Sequence, residues 1–123
     1  MEDKKIDYYK NGNIFCEMYY KDKQFHREDG PAILWYNMNG SIKSISYCIE
    51  GKCHREDRPA IICYYQNGSI KKEQYHKDGT LHRLDGPAII YYYENGTIEK
   101  EDYYIDGKHY NNMLLYSVAA GSY

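Results

Sequence analysis

A seven-residue motif returns at a fixed spacing and limits the fold more than any other feature of this chain. His26-Arg27-Glu28-Asp29-Gly30-Pro31-Ala32 recurs as His54-Arg55-Glu56-Asp57-Arg58-Pro59-Ala60, and again as His82-Arg83-Leu84-Asp85-Gly86-Pro87-Ala88. The offset is 28 residues each time, with no insertion. Asn11-Gly12, Asn39-Gly40, Asn67-Gly68 and Asn95-Gly96 keep the same period. So do the columns Tyr8/Tyr36/Tyr64/Tyr92 and Tyr19/Tyr47/Tyr75/Tyr103. Equal repeats that cannot each close a core must stack, and like residues then align in rows.

The units run 26–53, 54–81 and 82–109, preceded by a partial unit 1–25. Together they form a repeat domain, 1–109, with 110–123 as a cap or oligomerisation tail. Each unit reads as two strands. Ala88-Ile89-Ile90-Tyr91-Tyr92-Tyr93 is rich in the β-branched and aromatic residues that suit a pleated surface. Asn-Gly marks a tight hairpin turn that tolerates positive φ. The second strand ends at Glu50-Gly51, Asp78-Gly79 or Asp106-Gly107; in the partial unit Lys23 replaces that Gly, so a different turn is expected there.

The expected fold is all-β: an elongated antiparallel meander of about seven short strands, built from stacked β-hairpin repeats. With a two-residue turn, Ala32, Leu34, Tyr36 and Tyr47 share one face, and Ile33, Trp35 and Ile42 the other; a bulge would shift this assignment. The tail from Asn111 to Gly121 predicts a short helix over the last sheet edge, with a final strand as the alternative. One sheet layer leaves an apolar face uncovered. A homo-oligomer is therefore expected, most simply a dimer, with Leu114, Leu115 and Val118 as capping or contact residues.

Composition narrows function. Seventeen Tyr against two Phe and one Trp suit half-exposed sheet surfaces better than a dry interior. A formal charge of −2 gives no electrostatic footprint for DNA. No apolar stretch approaches the ~20 residues of a membrane span, and the first residues carry no apolar signal core. A soluble cytoplasmic protein is expected. Cys16, Cys48, Cys53 and Cys63 fall in different columns, which suggests free, reduced thiols.

The unit resembles a family of repeats on the strength of Gly-Lys-x-His-Arg-Glu-Asp-x-Pro-Ala, then Tyr-Tyr-x-Asn-Gly, then a Tyr-rich strand ending in Gly-Lys. That family occurs in proteins of bacteriophages and large DNA viruses and is distantly similar to MORN repeats. The resemblance covers residues 8–109 and departs at Arg58, where Gly is expected. It implies a stacked-hairpin fold, an interaction or membrane-proximal role, and no shared catalytic residue.

Two sets of residues could bind. His26/Arg27, His54/Arg55 and His82/Arg83 would form a row able to grip a small anionic ligand, such as a nucleotide signal, because guanidinium groups hold phosphate at two points. The alternative is that the motif shapes the turn, with Asp accepting backbone N–H groups or pairing with Arg; recurrence in every unit favours this. Tyr36, Tyr64 and Tyr92 belong to rows that could contact a protein partner. No Ser or Cys stands at a matched position to act as nucleophile beside His and Asp, so no enzyme is expected. Connections two strands apart would lie roughly 9–10 Å from each other, too far to share one ion, so no metal and no cofactor are expected. The sequence thus predicts a non-catalytic binding module for a host or viral protein, with anion sequestration or a purely structural assembly role as alternatives.

Overall fold

The computed structural model describes residues 2–111. The tail helix or strand, and Leu114, Leu115 and Val118 with it, lie outside the described residues. The partial unit holds β1 (Glu2–Tyr8), β2 (Ile14–Lys21) and β3 (Gln24–Phe25). The next unit holds β4 (Ile33–Tyr36), β5 (Ile42–Ser46), β6 (Cys48–Ile49) and β7 (Lys52–Cys53). Then come β8 (Ile61–Tyr64), β9 (Ile70–Gln74), β10 (His76–Lys77) and β11 (Thr80–Leu81). The last unit holds β12 (Ile89–Tyr92), β13 (Ile98–Ile105) and β14 (Lys108–Tyr110). The main sheet runs β1-β2-β4-β5-β8-β9-β12-β13-β14, an antiparallel meander in chain order. The described residues contain no helix.

Where about seven strands were expected, the described residues hold fourteen. The excess comes from a second, shorter hairpin in every unit. The second strand of the middle units pauses at Tyr47 or Tyr75, resumes as β6 or β10, and turns back through Glu50-Gly51 or Asp78-Gly79. These small hairpins bond to one another. Gly51, Gly79 and Gly107 donate N–H to the carbonyls of Phe25, Cys53 and Leu81, each at 2.8 Å. Each unit is therefore tied to the next through two rows of backbone contacts.

Positive φ at both central residues defines the turn of these small hairpins: 48° at Glu50 and 84° at Gly51, with matching values in the later units. The partial unit keeps this conformation, with Asp22 at 52° and Lys23 at 67°. The different turn expected at Lys23 does not form. Stacking on the neighbouring hairpin imposes the geometry on a residue whose Cβ disfavours it.

The Asn-Gly turns differ from expectation. Only the Gly has positive φ, 91° at Gly40, and Asn39 does not. Gly40 donates to the Asn37 carbonyl at 3.0 Å and Asn37 donates to the Ser41 carbonyl at 2.8 Å, which gives a three-residue loop instead of a two-residue one. The Asn39 carboxamide oxygen accepts from the Ser41 N–H and hydroxyl at 3.0 and 2.6 Å. A bulge follows: Trp35 pairs with Ser44 but Tyr36 with Ile42. The first face holds as expected, with Leu34 opposite Ile45. Ile42, however, sits across from Tyr36 instead of sharing the face of Ile33 and Trp35. The extra residue in the strand flips its side.

Little of the molecule is dry. Ala32, Ala60 and Ala88 are fully buried, each between two backbone bonds to neighbouring strands. Cys16, Ile45, Cys48, Ile89, Ile90 and Ile105 are buried as well, with Pro59 and Pro87. Most Tyr, Ile and Leu side chains on both faces stay half-buried, as a single layer requires. All four cysteines are free thiols.

Candidate functional site

The His-Arg-x-Asp connections line one side of the sheet, as stacking of equal units demands. Each Arg lies flat over a Tyr of the preceding unit. Arg27 is 3.9 Å from the ring centre of Tyr19, Arg55 3.7 Å from Tyr47 and Arg83 3.9 Å from Tyr75. Each also donates to the carbonyl of the Pro four residues on: Pro31 and Pro59 at 3.2 Å, Pro87 at 3.1 Å. Arg27 and Arg83 further pair with Asp29 and Asp85 at 3.1 and 3.3 Å. A desolvated guanidinium over an aromatic face is worth about 1–2 kcal/mol. The Arg row therefore locks each connection onto the previous unit.

The His row does something the sequence did not reveal. Nδ1 of His26, His54 and His82 accepts the backbone N–H of Glu50, Asp78 and Asp106, at 2.9, 3.0 and 3.0 Å. Each imidazole caps the turn of a small hairpin 24 residues ahead. A ring that accepts at Nδ1 carries its proton on Nε2. For His26 and His54 that nitrogen faces Glu28 and Glu56 at 3.5 and 3.1 Å. A column of His always 24 residues before an acidic-Gly pair was visible in the sequence. At a strict period every column keeps every offset, so nothing marked this one as a contact.

The Tyr row lies on the face of Leu34 and Ile45. The Tyr36 hydroxyl donates to Glu17 at 2.7 Å, and Tyr92 donates to Glu73. Burial first, and the Glu17 carboxylate second, push the Tyr36 hydroxyl up to about 12. Tyr92 rises through burial first and its bond to Glu73 second. In the middle unit the matching acidic position is Ile45. Tyr64 makes no hydrogen bond to a carboxylate, and its upward shift comes first from burial, with Tyr47 and Glu73 adding to it. The tyrosine and motif sets are joined through Tyr19, Tyr47 and Tyr75: Tyr19 donates to the same Glu17 carboxylate at 3.1 Å while lying under Arg27. Glu17 thus links a Tyr of the row, Tyr36, to the Tyr19 that carries Arg27.

Grooves open between successive connections. One of about 520 Å³ is walled by Arg27, Glu28, Asp29, Tyr47, Ile49, His54 and Arg55. Its equivalent one unit on, of about 450 Å³, is walled by Arg55, Glu56, Asp57, Tyr75, Lys77, His82 and Arg83, with His76. The two are not equal. Lys77 replaces Ile49, so the second groove gains a cation, while three carboxylates line each: Glu28, Asp29 and Glu56 in the first, Glu56, Asp57 and Asp85 in the second. His76 has a buried Nδ1 without a hydrogen-bond partner, and burial lowers its affinity for a proton. Among the described residues no group of His, Cys, Asp and Glu is arranged to hold a metal ion.

No family model, no curated protein and no solved structure matches this chain.

Proposed function

We propose that the chain is a non-catalytic binding module whose Tyr- and Arg-bearing sheet face docks a protein partner, of host or viral origin as the repeat resemblance implies. One observation carries this reading. The side chains that dominate protein interfaces, Tyr and Arg, are held in rows by stacking and hydrogen bonds and yet remain half-exposed. Such a face loses little side-chain entropy on binding. Tyr64 stands mid-row with its hydroxyl not bonded to a carboxylate, unlike Tyr36 and Tyr92 on either side. A photo-crosslinking side chain at position 64 should trap one partner. Trapping should fail when Tyr36→Ala and Tyr92→Ala are added. Equal trapping from position 72, which pairs with Cys63 and Tyr91 on the opposite face, would refute the assignment.

Self-association belongs to the same proposal, because half-buried apolar rows on a single layer call for a second copy or a partner. Sedimentation at micromolar concentration should give a dimer mass; a strict monomer removes this part.

A second reading, capture of a small phosphate-bearing ligand, is favoured by the groove between Arg55 and Arg83. Arg55 makes no bond to a carboxylate, and Lys77 adds charge. Thermal-shift titration with inorganic phosphate and a nucleotide panel tests it. Stabilisation that disappears in Arg55→Ala but survives Arg27→Ala would support this groove.

A further inference from the structure

Every small hairpin is closed by a facing pair at the same two columns of the repeat. In the partial unit the pair is Tyr20 and Phe25, with rings stacked 5.0 Å apart. In the third unit it is His76 and Leu81, and in the last Tyr104 and His109, again 5.0 Å between ring centres. In the second unit alone both members are cysteines: Cys48 faces Cys53. Two unrelated columns have changed to thiols together, at the one pair of positions where the thiols meet.

The backbone frame suits a crosslink. Ile49 and Lys52 flank the two-residue turn. On the other side His54 donates its N–H to the Tyr47 carbonyl at 3.0 Å. Cys48 and Cys53 therefore occupy the non-hydrogen-bonded pair between two bonded ones, where Cα atoms stand about 4.5 Å apart and side chains are closest. That separation lies within the range of roughly 4.4–6.8 Å that disulfides adopt. The two thiols differ in access. Cys48 is 3% exposed, whereas Cys53 is half-exposed.

We propose that Cys48 and Cys53 form a reversible cross-strand disulfide by exchange with a low-molecular-weight disulfide. Cys53, as thiolate, attacks one sulfur of the small disulfide and expels the first small thiolate, leaving a mixed disulfide on Cys53. Cys48 gives up its proton to solvent and attacks the Cys53 sulfur, expelling the second small thiolate. Two electrons pass from the cysteine pair to the small disulfide, which ends as two thiols. Contact with Cys48 holds the Cys53 thiol down, while the same contact and burial raise Cys48. The accessible member is thus also the better nucleophile near neutral pH.

The bond would have a local consequence. The Cys48 carbonyl accepts the Arg27 N–H at 3.1 Å, and Tyr47 beside it carries Arg55 on its ring. The crosslink would stiffen the wall of the groove shared by the second and third units.

Incubation of the folded, reduced full chain with oxidised glutathione, then alkylation and mass measurement, tests this. Expected is a loss of two hydrogens with no retained glutathione. Tryptic cleavage after Lys52 should then release two peptides joined only through Cys48 and Cys53. Cys16→Ser and Cys63→Ser should leave the reaction unchanged, while Cys48→Ser should stop it at glutathione-bound Cys53. Dithiothreitol should reverse it. A wild-type chain that retains glutathione on Cys53 with Cys48 still open to alkylation would overturn the proposal. So would a crosslink involving Cys16 or Cys63, or one that forms only in urea.

Discussion

The connection at 54–59 has Arg58 where its counterparts at 26–31 and 82–87 have glycine, and the difference shows what the motif's glycine is for. Gly30 and Gly86 do not have positive φ. Their role is room: a Cβ on Gly30 would stand 3.2 Å from the Arg27 guanidinium carbon, and one on Gly86 2.9 Å from that of Arg83. Arg58 puts a side chain in that place. Asp57 moves to a φ of 56°, whereas Asp29 and Asp85 keep negative φ, and the Arg-Asp bond of the other two units is missing. The stacking of Arg55 on Tyr47 and its bond to Pro59 survive. The cation over the ring and the Pro carbonyl are the invariant part of the lock, and the carboxylate is dispensable.

The largest expected effect breaks that lock. Arg83→Ala removes a charged hydrogen bond to Pro87, a ring contact with Tyr75 and the pair with Asp85. Urea unfolding should show a loss of about 1–3 kcal/mol. Arg55→Ala should cost slightly less, because only its exposed carboxylate partner is missing and such pairs contribute little. Loss of stability in Arg55→Ala at twice that of Arg83→Ala would contradict this division.

Next in size is Gly86→Ala. The added methyl must displace the Arg83 guanidinium. The crowded group is the movable end of a long side chain, so the cost falls at the low end for overpacking, about 1 kcal/mol. The converse change, Arg58→Gly, should restore an Asp57–Arg55 bond, visible as an Arg55 Nε–H shift in nuclear magnetic resonance. If Gly86→Ala is neutral, crowding is not why the glycine is there.

The 28-residue period, the hairpins, the antiparallel order and the side-by-side row of motifs were all legible in the sequence, because each follows from local turn chemistry and equal spacing. Three features were not. The bulge that moves Ile42 across from Tyr36 depends on which turn Asn-Gly adopts, and a Gly with positive φ serves both turn types. The short hairpins β6/β7 and β10/β11 span two residues a strand, too few for any alternation to show. The contacts of His26 with Glu50, and of Arg27 with Tyr19, join different units. Periodicity shows that such contacts repeat; it does not show which columns touch.

A gain should come from Lys23→Gly. Lys23 holds a φ of 67°, where Gly51, Gly79 and Gly107 stand in the other units. Releasing a Cβ from the left-handed region is worth about 1–2 kcal/mol, less about 0.5–1 for the added freedom of the unfolded chain. A net stabilisation of about 0–1.5 kcal/mol is expected. Unfolding curves of the two proteins measured side by side decide the sign, and a destabilised variant would mean that Lys23 makes a contact outweighing its strain.

The smallest effect separates the small hairpin at His76 from those closed by Tyr20, Cys48 or Tyr104. Burial lowers the proton affinity of His76, against a smaller opposing effect of the backbone at Gly79. The unfolded chain titrates this imidazole near the ordinary value of about 6.5. As pH falls through that value the unfolded state takes up the proton first and the folded state does not, so folding loses stability. The loss grows until the pH drops below the depressed folded value, where both states are protonated and the difference levels off. The neutral ring's contribution is therefore present above about 6.5 and is lost on acidification. His76→Tyr, the residue found in that column in the first and last units, should remove this component. The stability difference between the two proteins should narrow or shift in the variant's favour between pH 7 and pH 5, by an amount small beside the effects of the Arg row. Parallel stability profiles over that range would show that the buried His76 takes up its proton as easily folded as unfolded. A profile shifting the other way would mean a carboxylate or a bound anion holds the charged ring in the groove.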